Sequence, residues 1–81
     1  MTREEIEDIA GWSFMYVYAK EVRFSKGYNE IIYYRLDLSD KDNKIKISQI
    51  TMSDRTEKVL FDGECENIAT LQLLTKLLKI R

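Results

Sequence analysis

The chain contains no histidine, no proline and a single cysteine. Without histidine it lacks the side chain that most often serves as a general base near neutral pH and as a zinc ligand, so the usual catalytic triads and zinc sites are excluded. Cys65 has no second cysteine with which to form an intrachain disulfide, and no leader of signal-peptide type precedes the first expected helix. These features predict a protein of the reducing cytoplasm.

Long apolar runs and an excess of one charge are also missing. No uninterrupted apolar segment approaches the roughly 20 residues of a membrane-spanning helix. The 13 Lys and Arg against 14 Asp and Glu give a net charge of -1, which provides no overall attraction to nucleic acid. With 81 residues, 44% of them hydrophobic, the chain predicts one soluble domain, residues 1–81, which is expected to gain stability from a second copy or a partner.

The order of local patterns predicts two helices that flank a sheet. Thr2 to Gly11 predicts a short helix, since Thr2 and Glu5 have the spacing of a capping box. Alternating aromatic and β-branched residues predict one long strand from Trp12 to Phe24, and apolar residues on both of its faces predict a central position in the sheet. Three further strands are predicted at Glu30 to Leu38, at Lys44 to Met52 with a bulge near Ser48 and Gln49, and at Arg55 to Phe61.

The last segment predicts an amphipathic helix after Asp62 and Gly63. The expected fold class is therefore α+β in the order α-β-β-β-β-α, with a four-stranded antiparallel sheet packed by a C-terminal helix and a short N-terminal helix. Apolar residues cover well over half of the last helix, more than one sheet requires. This surplus predicts a symmetric homodimer through Leu73, Leu74, Leu77, Leu78 and Ile80, or else burial of all of it within one chain.

The sequence contains no recognisable catalytic, cofactor-binding or metal-binding motif. Asp40 and Asp42 have the spacing that begins a calcium loop, but Lys44 and Ile45 follow where further oxygen ligands are required. No glycine-rich phosphate loop is present. Cys65 has no base beside it in the sequence and is expected to be a small buried residue at the start of the last helix. The chain is therefore not expected to be an enzyme.

The first functional hypothesis is a non-catalytic binding module, a stand-alone regulator or inhibitor that occupies the surface of another protein. Acidic side chains are expected to face a basic groove, such as that of a nucleic-acid-binding enzyme of the host. The residues concerned are Glu4, Glu5, Glu7, Asp8, Asp40 and Asp42. In size and composition the chain is similar to the small inhibitors of phages and mobile elements, anti-CRISPR proteins among them.

The second hypothesis is a homodimeric single-stranded nucleic-acid-binding protein, because tyrosines among cations on strands are typical of such binding. The candidate residues are Tyr16, Tyr18, Lys20, Arg23, Tyr33, Arg35 and Lys46. Four strands followed by a helix that pairs with a second copy are similar in outline to the Pur-type and transcriptional-coactivator-type single-strand binders, although no residue motif of theirs is present. The alternative is that the tyrosines belong to the core of the sheet and have solvated hydroxyl groups.

Overall fold

A computed structural model describes residues 1–39 and 42–80. Within this part of the chain the elements are α1 (Arg3–Asp8), β1 (Ser13–Tyr18), β2 (Glu21–Gly27), β3 (Ile32–Ser39), β4 (Lys44–Thr51), β5 (Thr56–Glu64) and α2 (Ile68–Leu77). The strands form one antiparallel sheet in the order β1-β2-β3-β4-β5, so that β1 and β5 are its edges. The α+β class and the antiparallel sheet are confirmed, but the sheet has five strands and not four.

The segment predicted as one long strand from Trp12 to Phe24 forms two strands, β1 and β2. Ala19 and Lys20 connect them, and Ala19 adopts the left-handed conformation with φ of 56°. This turn contains none of the Gly, Asn or Asp residues that favour such a conformation, and the apolar alternation resumes in the same phase after Lys20. The predicted central position was also wrong, because β1 is an edge strand with mostly exposed residues.

A bulge in β1 determines which of its aromatic residues face the core. Phe14 pairs with Phe24 and Tyr16 pairs with Arg23, so Met15 is an additional residue between the two pairs. Phe14 packs against the core, whereas Tyr16 lies on the other face of the sheet. The even alternation from Trp12 onwards therefore does not place all of these aromatic residues on one side.

The irregularity predicted near Ser48 and Gln49 is present, but its additional residue is on the neighbouring strand. The pairing of β3 with β4 is continuous, and that of β4 with β5 shifts between Ile47 and Ser48 because Leu60 is inserted in β5. Ile50 therefore keeps the normal alternation of β4 and pairs with Tyr33. Although Ile50 is only 8% exposed, it does not belong to the core cluster.

The core lies on one face of the sheet, where both helices contribute to it. Ile6 of α1 and Leu71 of α2 are fully buried there with Phe24, Leu36 and Ile47 of the central strands. Full burial of each such side chain stabilises the fold by about 1.5 to 3 kcal/mol. Neither helix of the described segments is long and apolar enough to cross a membrane.

Side-chain hydrogen bonds fix the first turn of each helix. The predicted capping box of α1 is confirmed, since the Glu5 amide donates to Thr2 Oγ1 at 3.2 Å and the Thr2 amide donates to Glu5 Oε1 at 2.8 Å. In α2 the Thr70 amide donates to Asn67 Oδ1 at 2.9 Å. These caps fix where the chain enters the core-covering helices.

The second face of the sheet is opposite the core and is called the open face here. Its side chains alternate with core residues along the strands and lie beside one another across them. They include Tyr16, Tyr18, Glu21, Arg23, Tyr33, Arg35, Asp37, Lys46, Ser48, Ile50, Glu57, Val59 and Asp62. This face holds most of the polar contacts between strands.

Candidate functional site

A chain of ion pairs, called the charge network here, crosses the open face through Arg23, Asp37, Arg35, Glu57 and Lys46. Arg23 Nε donates to Asp37 Oδ1 at 2.7 Å, and Arg35 Nε is 3.7 Å from Asp37 Oδ2. Arg35 Nη2 donates to Glu57 Oε2 at 2.8 Å, and Lys46 Nζ is 3.3 Å from Glu57 Oε1. Each carboxylate therefore lies between two cations.

Two hydroxyl groups extend the charge network. Arg23 Nη1 donates to the Tyr16 hydroxyl oxygen at 2.8 Å, and the Arg23 guanidinium carbon is 5.5 Å from the centre of the Tyr16 ring. Ser48 Oγ donates to Glu57 Oε1 at 3.0 Å. With these contacts the network includes a residue from every strand of the described sheet, from β1 to β5.

These contacts keep two members of the charge network ionised. The hydrogen bond to Asp37 raises the pKa of Arg23 above its ordinary value. The hydrogen bond from Ser48 lowers the pKa of Glu57, and Lys46 and Arg35 act in the same direction. The cations of this face are thus largely balanced by carboxylates of the same face.

A depression of about 430 Å³ lies beside the charge network, at the end of the sheet where β4 turns into β5. This feature, the Arg55 depression, is lined by Tyr33, Arg35, Ile50, Met52, Arg55 and Glu57. Tyr33 and Ile50 form its apolar floor as a cross-strand pair, and Met52 is exposed at its side. Its volume is within the range of small-ligand and side-chain pockets.

The charges of the Arg55 depression are unbalanced. Glu57 is the only carboxylate of its lining, and its oxygens are already bound to Arg35, Lys46 and Ser48. No carboxylate of residues 1–39 and 42–80 lies within ion-pair distance of Arg55. Arg35 Nε is buried and donates no hydrogen bond. The depression therefore combines an apolar floor with a surplus of positive charge.

A second depression, of about 290 Å³, lies at the opposite end of the open face. Its lining is almost entirely polar, with Glu21, Asp37 and Asp62 against Lys44 and Lys46. In the described ranges no three His, Cys, Asp or Glu side chains form a group that could hold a metal ion. Mixed charges without an apolar floor give this depression little preference for any one ligand.

Six of the seven residues predicted for nucleic-acid binding share the open face: Tyr16, Tyr18, Arg23, Tyr33, Arg35 and Lys46. Their three cations are the cations of the charge network, so each is paired with Asp37 or Glu57. Tyr18 and Lys20 are exposed at the β1–β2 turn, away from the centre of this face. The sheet thus gathers the tyrosines and cations but also neutralises the cations.

The acidic residues predicted for partner binding do not form one surface. Glu5 belongs to the capping box, where the hydrogen bond from the Thr2 amide lowers its pKa, and Glu7 Oε1 is 3.2 Å from Arg3 Nε. Glu4 and Asp8 are exposed on α1, and Asp42 is exposed on a separate loop. The predicted Asp40 lies outside the described residues.

The residues predicted for a dimer interface divide between the outside and the inside of the domain. Leu73 and Leu77 are exposed on the outer side of α2. Leu74 and Leu78 are partly buried against the core, and Ile80 is buried in it. Two leucines of the five are thus available to a partner without rearrangement of the core.

Cys65 is buried in the core, as the sequence predicts. Its Sγ is 3.6 Å from the Asn67 carbonyl oxygen. Burial raises the pKa of the thiol, because the thiolate would lose its hydration. This environment opposes nucleophilic chemistry.

The residues of the Arg55 depression that the sequence did not predict are Ile50, Met52, Arg55 and Glu57. One signal in the sequence pointed to Ile50, namely the change of apolar phase between Ile47 and Ile50. Taken from the sequence alone, this change indicates a bulge in β4. In the structure β4 is regular, and the change of phase arises because Ile50 is an apolar residue on the open face, outside the core cluster. The sequence matches no family model, and no curated protein or solved structure is significantly similar to it. The chemistry of the open face is therefore the basis for a functional proposal.

Proposed function

We propose that the chain is a non-catalytic protein-binding module that docks on its partner through the open face. The observation that carries this proposal is Ile50, a buried apolar side chain on the open face that lies outside the core cluster. With Tyr33 it forms an apolar patch beside the Arg35–Glu57 ion pair. Apolar anchors enclosed by hydrogen-bonded polar groups are typical of protein interfaces.

The electrostatics of the open face support binding rather than catalysis. A general base requires a carboxylate whose pKa is raised towards neutrality, whereas hydrogen bonds lower the pKa of Glu57. The raised pKa of the buried Cys65 thiol likewise opposes its use as a nucleophile. Paired charges at the centre of a surface instead favour a specific partner, because a wrong partner leaves them unmatched.

A domain of this size is suited to act as a regulator or inhibitor that occupies a functional surface of a larger protein. Exposed acids such as Glu4 and Asp8 are available to speed its approach to a basic partner, such as a nucleic-acid-binding enzyme. An anti-defence inhibitor of a phage or mobile element is one such role, and it rests on similarity of size and composition alone.

The test is affinity capture from an extract of the native host with two matched variants as bait. Tyr16→Glu with Val59→Glu adds two charges to the open face, at exposed positions outside the Arg55 depression. Leu73→Glu with Leu77→Glu adds the same charge to the outer side of α2. We expect the first variant to lose a partner that the second retains, with both folded by circular dichroism. The opposite result would reject docking through the open face.

Single-stranded nucleic-acid binding is the second candidate, favoured by the six predicted residues that share the open face. Against it, each of their three cations already has a carboxylate partner, and phosphates would have to compete with Asp37 and Glu57. Fluorescence anisotropy with a labelled single-stranded oligonucleotide at low salt distinguishes the two functions. We expect no saturable binding, and strong salt-dependent binding would favour the second candidate.

A further inference from the structure

We propose that the Arg55 depression recognises a carboxylate next to a large apolar side chain in a segment of the partner protein. This inference rests on the proposed function, because its ligand is a protein segment. It adds a definite chemistry to one end of the open face. The floor of the depression, its two arginines and its single carboxylate each favour such a ligand.

The floor provides the apolar part of the recognition. Tyr33 and Ile50 lie side by side across β3 and β4, and Met52 is 44% exposed beside them. Methionine adapts its shape to different apolar groups, and tyrosine offers both a ring face and a hydroxyl group. A volume of about 430 Å³ has room for one large side chain.

The arginines provide the charged part. Arg55 is in the turn between β4 and β5 and has no carboxylate partner among the residues described. Its neighbour Asp54 makes no ion pair with it, and Asp54 Oδ1 is directed to Thr56, from which it accepts hydrogen bonds of the hydroxyl at 2.8 Å and the amide at 3.1 Å. A guanidinium group that is free of internal partners binds a carboxylate through two parallel hydrogen bonds.

The state of Glu57 makes the site selective for anions. Both of its oxygens are hydrogen-bonded or ion-paired, to Arg35 on one side and to Ser48 and Lys46 on the other. A cationic ligand would have to replace one of these partners, whereas an anion meets Arg55 directly. Arg35 does not compete for that anion, because its Nε is buried 3.7 Å from Asp37 Oδ2 and its Nη2 is paired with Glu57.

The experiment is an amide NMR titration of the full chain at pH 7 with two probes of nearly equal shape. N-acetyl-L-phenylalanine carries a carboxylate, and N-acetyl-L-phenylalaninamide has the same ring without the charge. We expect saturable shifts in the segment from Met52 to Glu57 with the carboxylate probe, and at least about tenfold weaker binding of the amide. Equal binding of both probes, or no shift in this segment, would overturn the inference.

A matched pair of variants tests the role of Arg55. Arg55→Glu is expected to weaken binding of the carboxylate probe by at least about tenfold. Lys58→Glu changes the charge equally, but Lys58 pairs with Gln49 and so points to the face opposite the depression. Binding that survives Arg55→Glu unchanged, or that is lost equally in both variants, would contradict recognition by Arg55.

The outcomes separate this inference from the proposed function. If the carboxylate probe does not bind while Tyr16→Glu with Val59→Glu still removes a partner, the inference fails and docking through the open face stands. If the probe binds at Arg55 while partner capture depends only on Leu73 and Leu77, the site stands and docking through the open face fails.

Discussion

Arg23 and Asp37 form the shortest ion pair in the described part of the chain, with 2.7 Å between Arg23 Nε and Asp37 Oδ1. They are direct cross-strand partners on β2 and β3, and Asp37 is only 5% exposed. The second Asp37 oxygen faces Arg35, so one carboxylate lies between two guanidinium groups. This arrangement holds two like charges at the centre of the open face. Asp37 is the carboxylate partner of Arg23 among the described residues, whereas Arg35 is also paired with Glu57.

Replacement of Asp37 by Ala should therefore destabilise the domain strongly. It leaves Arg23 and Arg35 without their shared partner, and we expect a loss of about 2 to 4 kcal/mol in the free energy of unfolding. Glu7→Ala is the control, since it breaks the exposed Arg3–Glu7 pair on α1 and should cost less than about 0.5 kcal/mol. Urea denaturation followed by circular dichroism measures both, and equal losses would show that the network contributes little.

Acid should destabilise the domain through Glu57. Its pKa in the folded chain is below the ordinary value of 4.5, so the unfolded chain takes up its proton first as the pH falls. The stabilisation from Glu57 is therefore complete above pH 4.5 and is lost as the pH falls through the lowered folded value. Glu5 and Asp54, whose pKa values are also lowered, act in the same direction.

The measurement is urea denaturation at a series of pH values from 7 to about 3. Glu57→Gln should reduce the free energy of unfolding at pH 7. It should also make the decrease of this free energy with falling pH less steep. Glu66→Gln, which removes an exposed carboxylate without an ion pair among the residues described, should preserve the wild-type slope. An unchanged slope in the Glu57 variant would exclude this residue as the source.

The parts of the fold that the sequence predicts are those whose signals are local. The capping box joins Thr2 and Glu5, three residues apart, and the apolar spacing of α2 lies within one helix. The turn at Ala19 escaped prediction because its left-handed conformation is imposed by the pairing of β1 with β2, without a residue that favours it. The bulge at Met15 was not predicted for the same reason, since an additional residue in β1 is recognised only from its pairing with β2.

The same distinction applies to the candidate site. The occurrence of tyrosines among cations in the predicted strands was sufficient to collect Arg23, Arg35 and Lys46 in one group. Their neutralisation by Asp37 and Glu57 depends on the register of β2 to β5, which the alternation of single strands does not contain. The Arg55 depression was missed because it joins Tyr33 of β3 to a turn that lies more than 20 residues later in the sequence.

Cys65 should react slowly with a thiol reagent in the folded protein. Burial in the core blocks access to its sulfur and raises the pKa of the thiol. We expect its reaction with 5,5′-dithiobis(2-nitrobenzoate) to be at least about a hundredfold slower than that of an exposed cysteine, and to become fast in denaturant. Ser53→Cys in a Cys65→Ser background provides the exposed control, and equal rates would contradict the burial of Cys65.

Asn67 should stabilise α2 through its cap. Its Oδ1 accepts hydrogen bonds from the amide and the hydroxyl group of Thr70, so Asn67→Ala should reduce the free energy of unfolding by about 1 kcal/mol. Asn67→Asp keeps an acceptor at this position and should remain close to the wild type. Urea denaturation distinguishes the two, and equal losses from both variants would show that the cap is unimportant.

The two edge strands of the sheet differ in their protection against pairing with another chain. Along β5, charged residues recur at Glu57, Lys58, Asp62 and Glu64, and such charges discourage the addition of a strand. No charged residue occurs in β1, where Val17 is 61% exposed and Tyr18 is 67% exposed. The unprotected edge is therefore β1.

Self-association should consequently depend on β1. In sedimentation velocity we expect the wild type to associate as its concentration rises, and Val17→Lys to shift it towards the monomer, because a charged side chain on an edge strand discourages the addition of another strand. Val59→Lys places the same charge at an exposed position on the other edge and should have little effect. A monomeric wild type at all concentrations would contradict this expectation. Association that is lost only with Leu73→Glu and Leu77→Glu would place the contact on α2 instead, because those substitutions leave the β1 edge unchanged.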